Sequence, residues 1–599
     1  MTDILDQAKK EIVDLIKNAS GAMNIATGDL ILPPDYKMGD LSFSCFKLAK
    51  ELKKNPAQTA VDLQKKIKAQ GLAAKIETAG PYLNFFLERG KIASEVIKSP
   101  LHPPLSKGER AAPLKKERVM VEFISPNNNK PLHLGHLRNA FLGESMARLL
   151  EARGVKVVRA CLFNDRGLAI AKPMVAYKLW GKGKTPKKLK VKGDKFVGDL
   201  YVEFEKHSKE EISLNPPLTK GDVKGDFKSL SLLEEAEQMV CAWEKGDKAT
   251  RALWKKLNGW ALGGFKDTFK RLKLEFDISY FESALWQKGK KLVEEGIDKG
   301  IFKKDAAGAV VVDLESFKLP PKVMLRSNGT AIYSTTDFFL GQEKFVKNKL
   351  TRAIWCVGSE QDLYLKQLFA IYKKFGFSWA DKCEHFSYGA VFLPEGKMKS
   401  REGKVVEADD LMDELRELVV EEIKARHKLG AAELKKRAEI IAQAALRFYL
   451  LSVTPKTIVH FNPKESISFT GHTGPYILYS YARIASILRK AAGRGQSSTG
   501  EVWPQRAAKL QISDIEWRLI FMMSRFVEVI REAADSRNPA ILAQYLYDLA
   551  KIFSDFYEVV PILKAEAKER MARLALIKAV KNVMANGLEL LTIEPVEKM

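Results

Sequence analysis

His133 and His136 stand three residues apart in "KPLHLGH", where a run that reads as a buried strand, "RVMVEF", gives way to helical apolar spacing in "NAFLGESMARLLEARG". That spacing puts both rings on one face of the first helical turn, beside its backbone N–H groups. Such a helix end attracts anions, and neutral imidazoles add donors without burying a full charge. Gly135 between them lets a flat ring or a phosphate approach the backbone, and Lys130 supplies a mobile cation. These residue types suit phosphoryl or nucleotidyl transfer, in which positioning and charge neutralisation carry most of the catalysis. A second basic element, "LPEGKMKSREGKVV" at 393–406, follows a strand-like run and reads as a phosphate-contacting loop.

Both elements need a scaffold that delivers strand ends to one place. From residue 118 to about 406, strand-like runs ("VKVVRACLFND", "TRAIWCVGS", "FSYGAVFLP") alternate with helical ones, the βαβ pattern of a parallel sheet covered on both faces. Before it, residues 1 to about 98 predict helices at 2–18, 42–53 and 56–69, then one alternating strand-like stretch, "AAKIETAGPYLNFFLERG". After residue 407 helical periodicity dominates to the end. Two similar Pro-Lys-Gly segments, at about 102–110 and 214–227, lack apolar periodicity and read as surface insertions.

With 599 residues, three or four domains are expected. An excess of 99 Lys+Arg over 74 Asp+Glu, a formal charge of +25, favours a polyanionic partner, nucleic acid first. No uncharged apolar run is long enough for a membrane helix, so no membrane partner is expected. The amphipathic start "MTDILDQAKKEIVDLIKN" does not read as a signal peptide. Five scattered cysteines without a CxxC pair point to a cytoplasmic protein with no zinc or other metal site.

Seven blocks in order, "VEFISPNNNKPLHLGHLRNAFLGESMARLLEARG", "NDRG", "YFES", "LRSNGTAIYSTTD", "VGSEQDLYLKQ", "GKMKSREGKVV" and "HTGPYILYSYARI", resemble the arginyl-tRNA synthetases among the class I aminoacyl-tRNA synthetases. "MGDLSFSCFKLAKELKKNPAQTA" and "GPYLNFFL" are similar to that family's extra N-terminal domain. The resemblance implies an α/β fold: a Rossmann-type parallel-sheet catalytic domain, an α+β N-terminal domain and an all-α C-terminal anticodon-binding domain. The expected boundaries are 1–98 for a tRNA-elbow-binding domain, 99–117 for a linker, 118–430 for the catalytic domain with an insertion at about 185–280, and 431–599 for the helical domain.

The resemblance also implies ATP, with Mg2+, held by His133, Gly135, His136, Lys397 and Met398. His133, His136, Lys130, Lys397 and Lys399 would be catalytic. Arginine would be held by Ser125, Asn127, His136, Glu282, Tyr333, Asp337 and Gln361. A planar guanidinium suits paired carboxylates, and Tyr333 and Asp337 at i, i+4 share a helix face. The partner would be tRNA(Arg), needed even for the first step, with Asn84 and Phe85 at its elbow and Tyr479, Tyr481 and Arg483 at its anticodon arm; a monomer is expected. One departure stands out. Lys397-Met398-Lys399-Ser400-Arg401 puts serine where the usual Lys-Met-Ser-Lys-Ser loop has its second lysine, and Lys130 is the expected stand-in.

Rivals of three kinds, the first another class I synthetase for cysteine or glutamate, make different demands. A cysteinyl enzyme needs zinc ligands, and a glutamyl one needs cationic recognition groups. A small-molecule nucleotidyltransferase has no use for the terminal domains, and a silent RNA-binding paralogue need not keep His133, His136, Lys130, Asp337 and Gln361.

Overall fold

The computed structural model describes residues 4–98, 117–214, 231–394, 406–425, 429–494 and 511–599. The chain forms two compact units, one from Met1–Arg110, Ile423–Ser452 and Lys464–Met599, the other from Ala111–Glu422 and Val453–Pro463.

In the first unit, helix Ile4–Ser20 buries Leu5, Ala8, Ile12, Val13 and Ile16, the stripe its sequence period demands. Two expectations need correction. The helix expected at 42–53 begins as strand Leu41–Ser44 and becomes helical only at Phe46–Leu52, because "LSFS" pairs antiparallel with Tyr82–Leu87. The single alternating stretch at 73–90 is a hairpin, Ala73–Ala79 against Tyr82–Leu87, turned at Gly80 with φ 58. Gly80 reaches that left-handed conformation without the Cβ penalty. The result is a four-stranded antiparallel sheet. Six longer helices follow: Ala431–Leu451, Gly474–Ala492, Asp514–Ser524, Phe526–Asp535, Pro539–Val559 and Ala567–Leu590. The buried Asp40 carboxylate joins the sheet to these helices, accepting from Leu87 N–H at 2.7 Å and Trp517 Nε1 at 2.6 Å.

The second unit is built on five parallel strands, Arg118–Glu122, Lys156–Phe163, Ile278–Phe281, Arg352–Gly358 and Cys383–Tyr388. Across the sheet they lie third, second, first, fourth, fifth in chain order. Between the second and third strands come helices Gly193–Leu214, Leu232–Lys245 and Lys248–Leu272, with a small core of their own around Phe196, Phe204 and Leu257. A three-stranded antiparallel sheet (Lys303–Lys304, Val310–Val312, Lys322–Leu325) was not legible, since strands of two to four residues give no period to read.

Candidate active site

The chain leaves strand Arg118–Glu122 toward one edge of the sheet and returns on its other side as Arg352–Gly358. Where the order reverses, the connections diverge and leave a crevice beyond the carboxyl ends of the strands. A cavity of about 1260 Å³ lies there, and it brings together Ser125, Asn127, Lys130, His133, Gly135, His136, Tyr333, Asp337 and Gln361. Residues scattered over more than two hundred positions thus line one cavity.

His133 is the N-cap of helix Leu134–Ala152. Its Nδ1 accepts from Gly135 N–H at 3.1 Å, and His136 Nδ1 accepts from His133 N–H at 3.1 Å. Both rings therefore carry their proton on Nε2, with centroids 3.8 Å apart. Burial first, then the Lys130 charge, pushes His133 down to about 4; burial also drives His136 far below its ordinary value. Both are neutral donors at physiological pH. The free first-turn N–H groups expected here are in use, however. Leu134 N–H donates to Val406 O at 3.1 Å, Gly135 N–H to His133, and His136 N–H to His133 O at 2.8 Å. What the turn offers an anion is its two imidazole edges and Lys130. Gly135 lines the cavity and has no room for a side chain of its own: a Cβ there would lie 3.0 Å from the His133 ring.

Lys397, Met398 and Lys399 lie outside the described residues. Residues 406–408 run antiparallel to 132–134 through Leu134 N–H to Val406 O and Ala408 N–H to Leu132 O, 2.8 Å. Gly389 and Ala390 are held by Arg138. This fully buried guanidinium donates to the carbonyls of Gly389 (3.0 Å), Ala390 (3.3 Å), Pro455 (2.9 Å) and Thr457 (2.8 Å). Lys130 lines the crevice, its ammonium weakened by burial, and makes no ion pair among the described residues.

Ser125 and Asn127 sit in a backbone that bends sharply as it leaves the strand. Ile124 and Ser125 have φ of 73° and 39°, left-handed values that a β-branched residue seldom adopts. Asn127 pairs with Asn164 in an isolated parallel bridge. Asn128, which the sequence left without a role, donates from Nδ2 to Asn258 Oδ1 at 2.8 Å and ties the turn to the helical insertion. Gly198 of that insertion has no room for a side chain, since a Cβ would stand 2.6 Å from Pro131.

The acidic end is more structured than two free carboxylates. Asp337 accepts from Tyr364 OH at 2.5 Å and, raised chiefly by burial, has a pKa of about 6. Glu282 is pushed up to about 8 by burial, opposed by Arg166. Arg166 lies 3.6 Å from it, is paired with Glu244, and packs on the Trp243 and Trp286 rings. Glu282 Oε2 is buried without a hydrogen-bond partner. Glu282 borders a smaller cavity of about 420 Å³, and the half-exposed Tyr333 borders both.

Three of the residues expected to meet RNA have buried side chains. Phe85 and Asn84 are 0% and 2% exposed, packed in the central strand of the N-terminal sheet. "YLNFFL" alternates, and these two face inward because the strand is covered on both sides. Tyr481 is likewise buried, donating to Glu597 at 3.3 Å. Tyr479 is exposed, and Arg483 lies over both the Tyr479 and Tyr557 rings at 4.7 and 4.8 Å. Sequence reasoning assigned nothing to Arg138, Asn139, Glu122 or Lys344. Polar residues at core positions of a helix or strand were the available signal.

Residues 104–461 match the family described as tRNA synthetases class I (R), catalytic domain, which places the crevice in a class I tRNA synthetase. Residues 6–87 match the arginyl tRNA synthetase N-terminal domain and 477–599 the DALR anticodon binding domain. The chain is 43% identical to the arginine–tRNA ligase of Treponema denticola over 581 residues, covering 95% of this chain and 94% of that one. It is 39% identical to the arginine–tRNA ligase of Bacteroides thetaiotaomicron, covering 94% of each. The structure of Thermus thermophilus arginyl-tRNA synthetase superposes with TM-score 0.77 at 26% identity, covering 99% of this chain and 100% of that one. The chain belongs to the arginyl-tRNA synthetase family.

Proposed function

We propose that this chain joins L-arginine to the 3′ end of tRNA(Arg) in two steps at the crevice, as a cytoplasmic monomer. The arginine carboxylate attacks the α-phosphate of ATP, which arrives as its magnesium complex. A carboxyl oxygen–phosphorus bond forms, the α–β phosphoanhydride breaks, and pyrophosphate leaves. A terminal ribose oxygen of the tRNA then attacks the arginyl carbonyl, its proton is lost, and AMP departs.

One observation carries this reading: one crevice is lined by neutral Nε2–H donors, by a lysine that makes no ion pair among the described residues and by Asp337, with buried Glu282 on the smaller cavity that shares Tyr333 with it. His133 and His136 would donate to phosphate oxygens, and Lys130 with Lys397 and Lys399 would offset the charge developing on them. Ser125, Asn127 and Gln361 would hold the amino and carboxylate groups. Asp337 and Glu282 would take the guanidinium, with Tyr333 beside it; Glu282 Oε2, buried and unpartnered, suits a donor from the substrate. Of the RNA contacts, Tyr479 and Arg483 retain the exposure that base stacking needs.

ATP–pyrophosphate exchange with each of the twenty amino acids, with and without tRNA, tests the proposal. Exchange with arginine alone, appearing only with tRNA, is the expected result. Exchange with another amino acid would overturn it.

A further inference from the structure

Asn139 follows His136 by one helical turn, is 6% exposed, and borders the crevice. Its side-chain amide makes three bonds to three different strand ends. Oδ1 accepts from Ile124 N–H, just past strand Arg118–Glu122; Nδ2 donates to Cys356 O at 2.8 Å and to Tyr388 OH at 2.9 Å. The amide's orientation is fixed, because the Ile124 N–H can only donate and the Cys356 carbonyl can only accept. Ile124 is the residue whose φ of 73° begins the left-handed bend, and Ser125 completes it at 39°. A bend this costly persists only where its surroundings hold it. Asn139 Oδ1 is the hydrogen-bond acceptor for the first amide of that bend.

We infer that Asn139 is a positioning residue for amino-acid binding: it holds the Ile124–Ser125 bend that aims Ser125 and Asn127 into the crevice, and it references that bend to the neighbouring strand ends at Cys356 and Tyr388. The inference rests on the reading that Ser125 and Asn127 hold the amino acid. Loss of the anchor relaxes the bend toward ordinary backbone, so the amino acid loses its aligned partners while ATP keeps the imidazole edges. The signature is a rise in KM for arginine with little change in KM for ATP.

Aminoacylation of tRNA by the full chain tests this, with active-site titration to count folded enzyme. Wild-type charging with arginine is measured first; its failure speaks against the proposed function, not against Asn139. Given wild-type charging, Asn139→Ala raises arginine KM roughly tenfold or more and leaves ATP KM within about twofold, the scale of losing a buried hydrogen bond together with its geometry. Tyr388→Phe, which removes one of the two bonds the amide donates and keeps the one it accepts from Ile124, raises arginine KM less than Asn139→Ala does. Asn139→Asp guards against an unfolded alanine variant. As a neutral acid it accepts from Ile124 and donates once, to the Cys356 carbonyl, where the amide donates twice; ionised, it turns an oxygen toward that carbonyl. The titratable groups around it are Tyr388 and Cys356, both raised chiefly by burial and so neutral, and the Arg138 guanidinium beside it in the chain. Its arginine KM, relative to wild type at each pH, therefore climbs from pH 6 to pH 8.5. Equal rises in both KM values, a mere loss of active enzyme, or an Asn139→Asp profile parallel to wild type would overturn the inference.

Discussion

Lys344 Nζ lies 2.7 Å from Glu122 Oε2 beneath the crevice, with the two side chains 1% and 6% exposed. Lys344 also stands 4.3 Å over the Trp355 ring. The pair sits within the electrostatic reach of Asp337: Lys344 draws its pKa down and Glu122 pushes it up. Breaking one side of a buried pair strands the other charge, a loss of about 3–5 kcal/mol. Lys344→Met therefore destabilises the chain by that order in denaturant unfolding. Glu122→Gln with Lys344→Met, which leaves no lone charge, recovers most of it. Equal losses in single and double variants would show that the pair carries no such penalty.

Burial pushes the Asp337 carboxyl up to about 6 and that of Glu282 up to about 8. A protonated carboxyl cannot pair with a guanidinium, so arginine KM falls as pH rises from 5.5 to 8.5. Stability runs the other way. These folded-state pKa values lie above those of the unfolded chain, so between about pH 4 and 8 the native state binds more protons. Their contribution to stability is complete at the acid end of that window and declines as pH rises. Melting temperatures with and without arginine check both signs: the gain from arginine grows between pH 6 and 8.5.

Asp337→Asn and Glu282→Gln each remove a charged acceptor while keeping shape. Charge-assisted hydrogen bonds contribute about 1.5–3 kcal/mol, so arginine KM rises roughly ten- to hundredfold in each. ATP KM stays near wild type in both. A comparable loss in ATP KM would place these acids elsewhere in the reaction.

Lys130→Ala lowers the rate of arginine-dependent pyrophosphate exchange more than Lys399→Ala does. Lys130 lines the crevice beside the imidazoles without an ion pair among the described residues, leaving it available to phosphate. Equal or reversed losses would overturn its assignment as the stand-in lysine.

Burial separates the two groups of expected RNA contacts. Phe85→Ala costs about 3–5 kcal/mol of stability through the cavity it leaves. Arg483→Ala leaves the melting temperature nearly unchanged and weakens tRNA binding, with a shallower salt dependence. Filter binding across a salt series, alongside thermal melts, distinguishes them.

What was legible in the sequence was local. The strand, turn and helix around His133 lie within about thirty residues, so their periodicity and spacing could be read together. The occupied first turn could not be foreseen, because the carbonyl that takes Leu134 N–H belongs to Val406. Helix Leu134–Ala152 buries nearly all its faces, so Arg138 and Asn139, which an amphipathic reading sends to solvent, point into the protein. Asn84 and Phe85 failed as surface contacts for a related reason: a central strand hides both faces, and strand period alone does not say so. Glu282 is legible in the sequence only as an acid the resemblance assigns to arginine; the Arg166 opposite it becomes visible once strands Lys156–Phe163 and Ile278–Phe281 are paired.

The strand order sets a timetable for synthesis. Arg118–Glu122 gains one neighbour, Lys156–Phe163, soon after it is made, but its other neighbour is Arg352–Gly358. At about 5–20 residues per second, roughly ten to forty seconds pass between the two. Throughout that interval one edge of the strand bearing Glu122 has no sheet partner from its own chain, and an open edge is a template for pairing with another. Lys344 leaves the ribosome shortly before the closing strand, so the charge on Glu122 finds its counter-ion only as that edge is about to be covered.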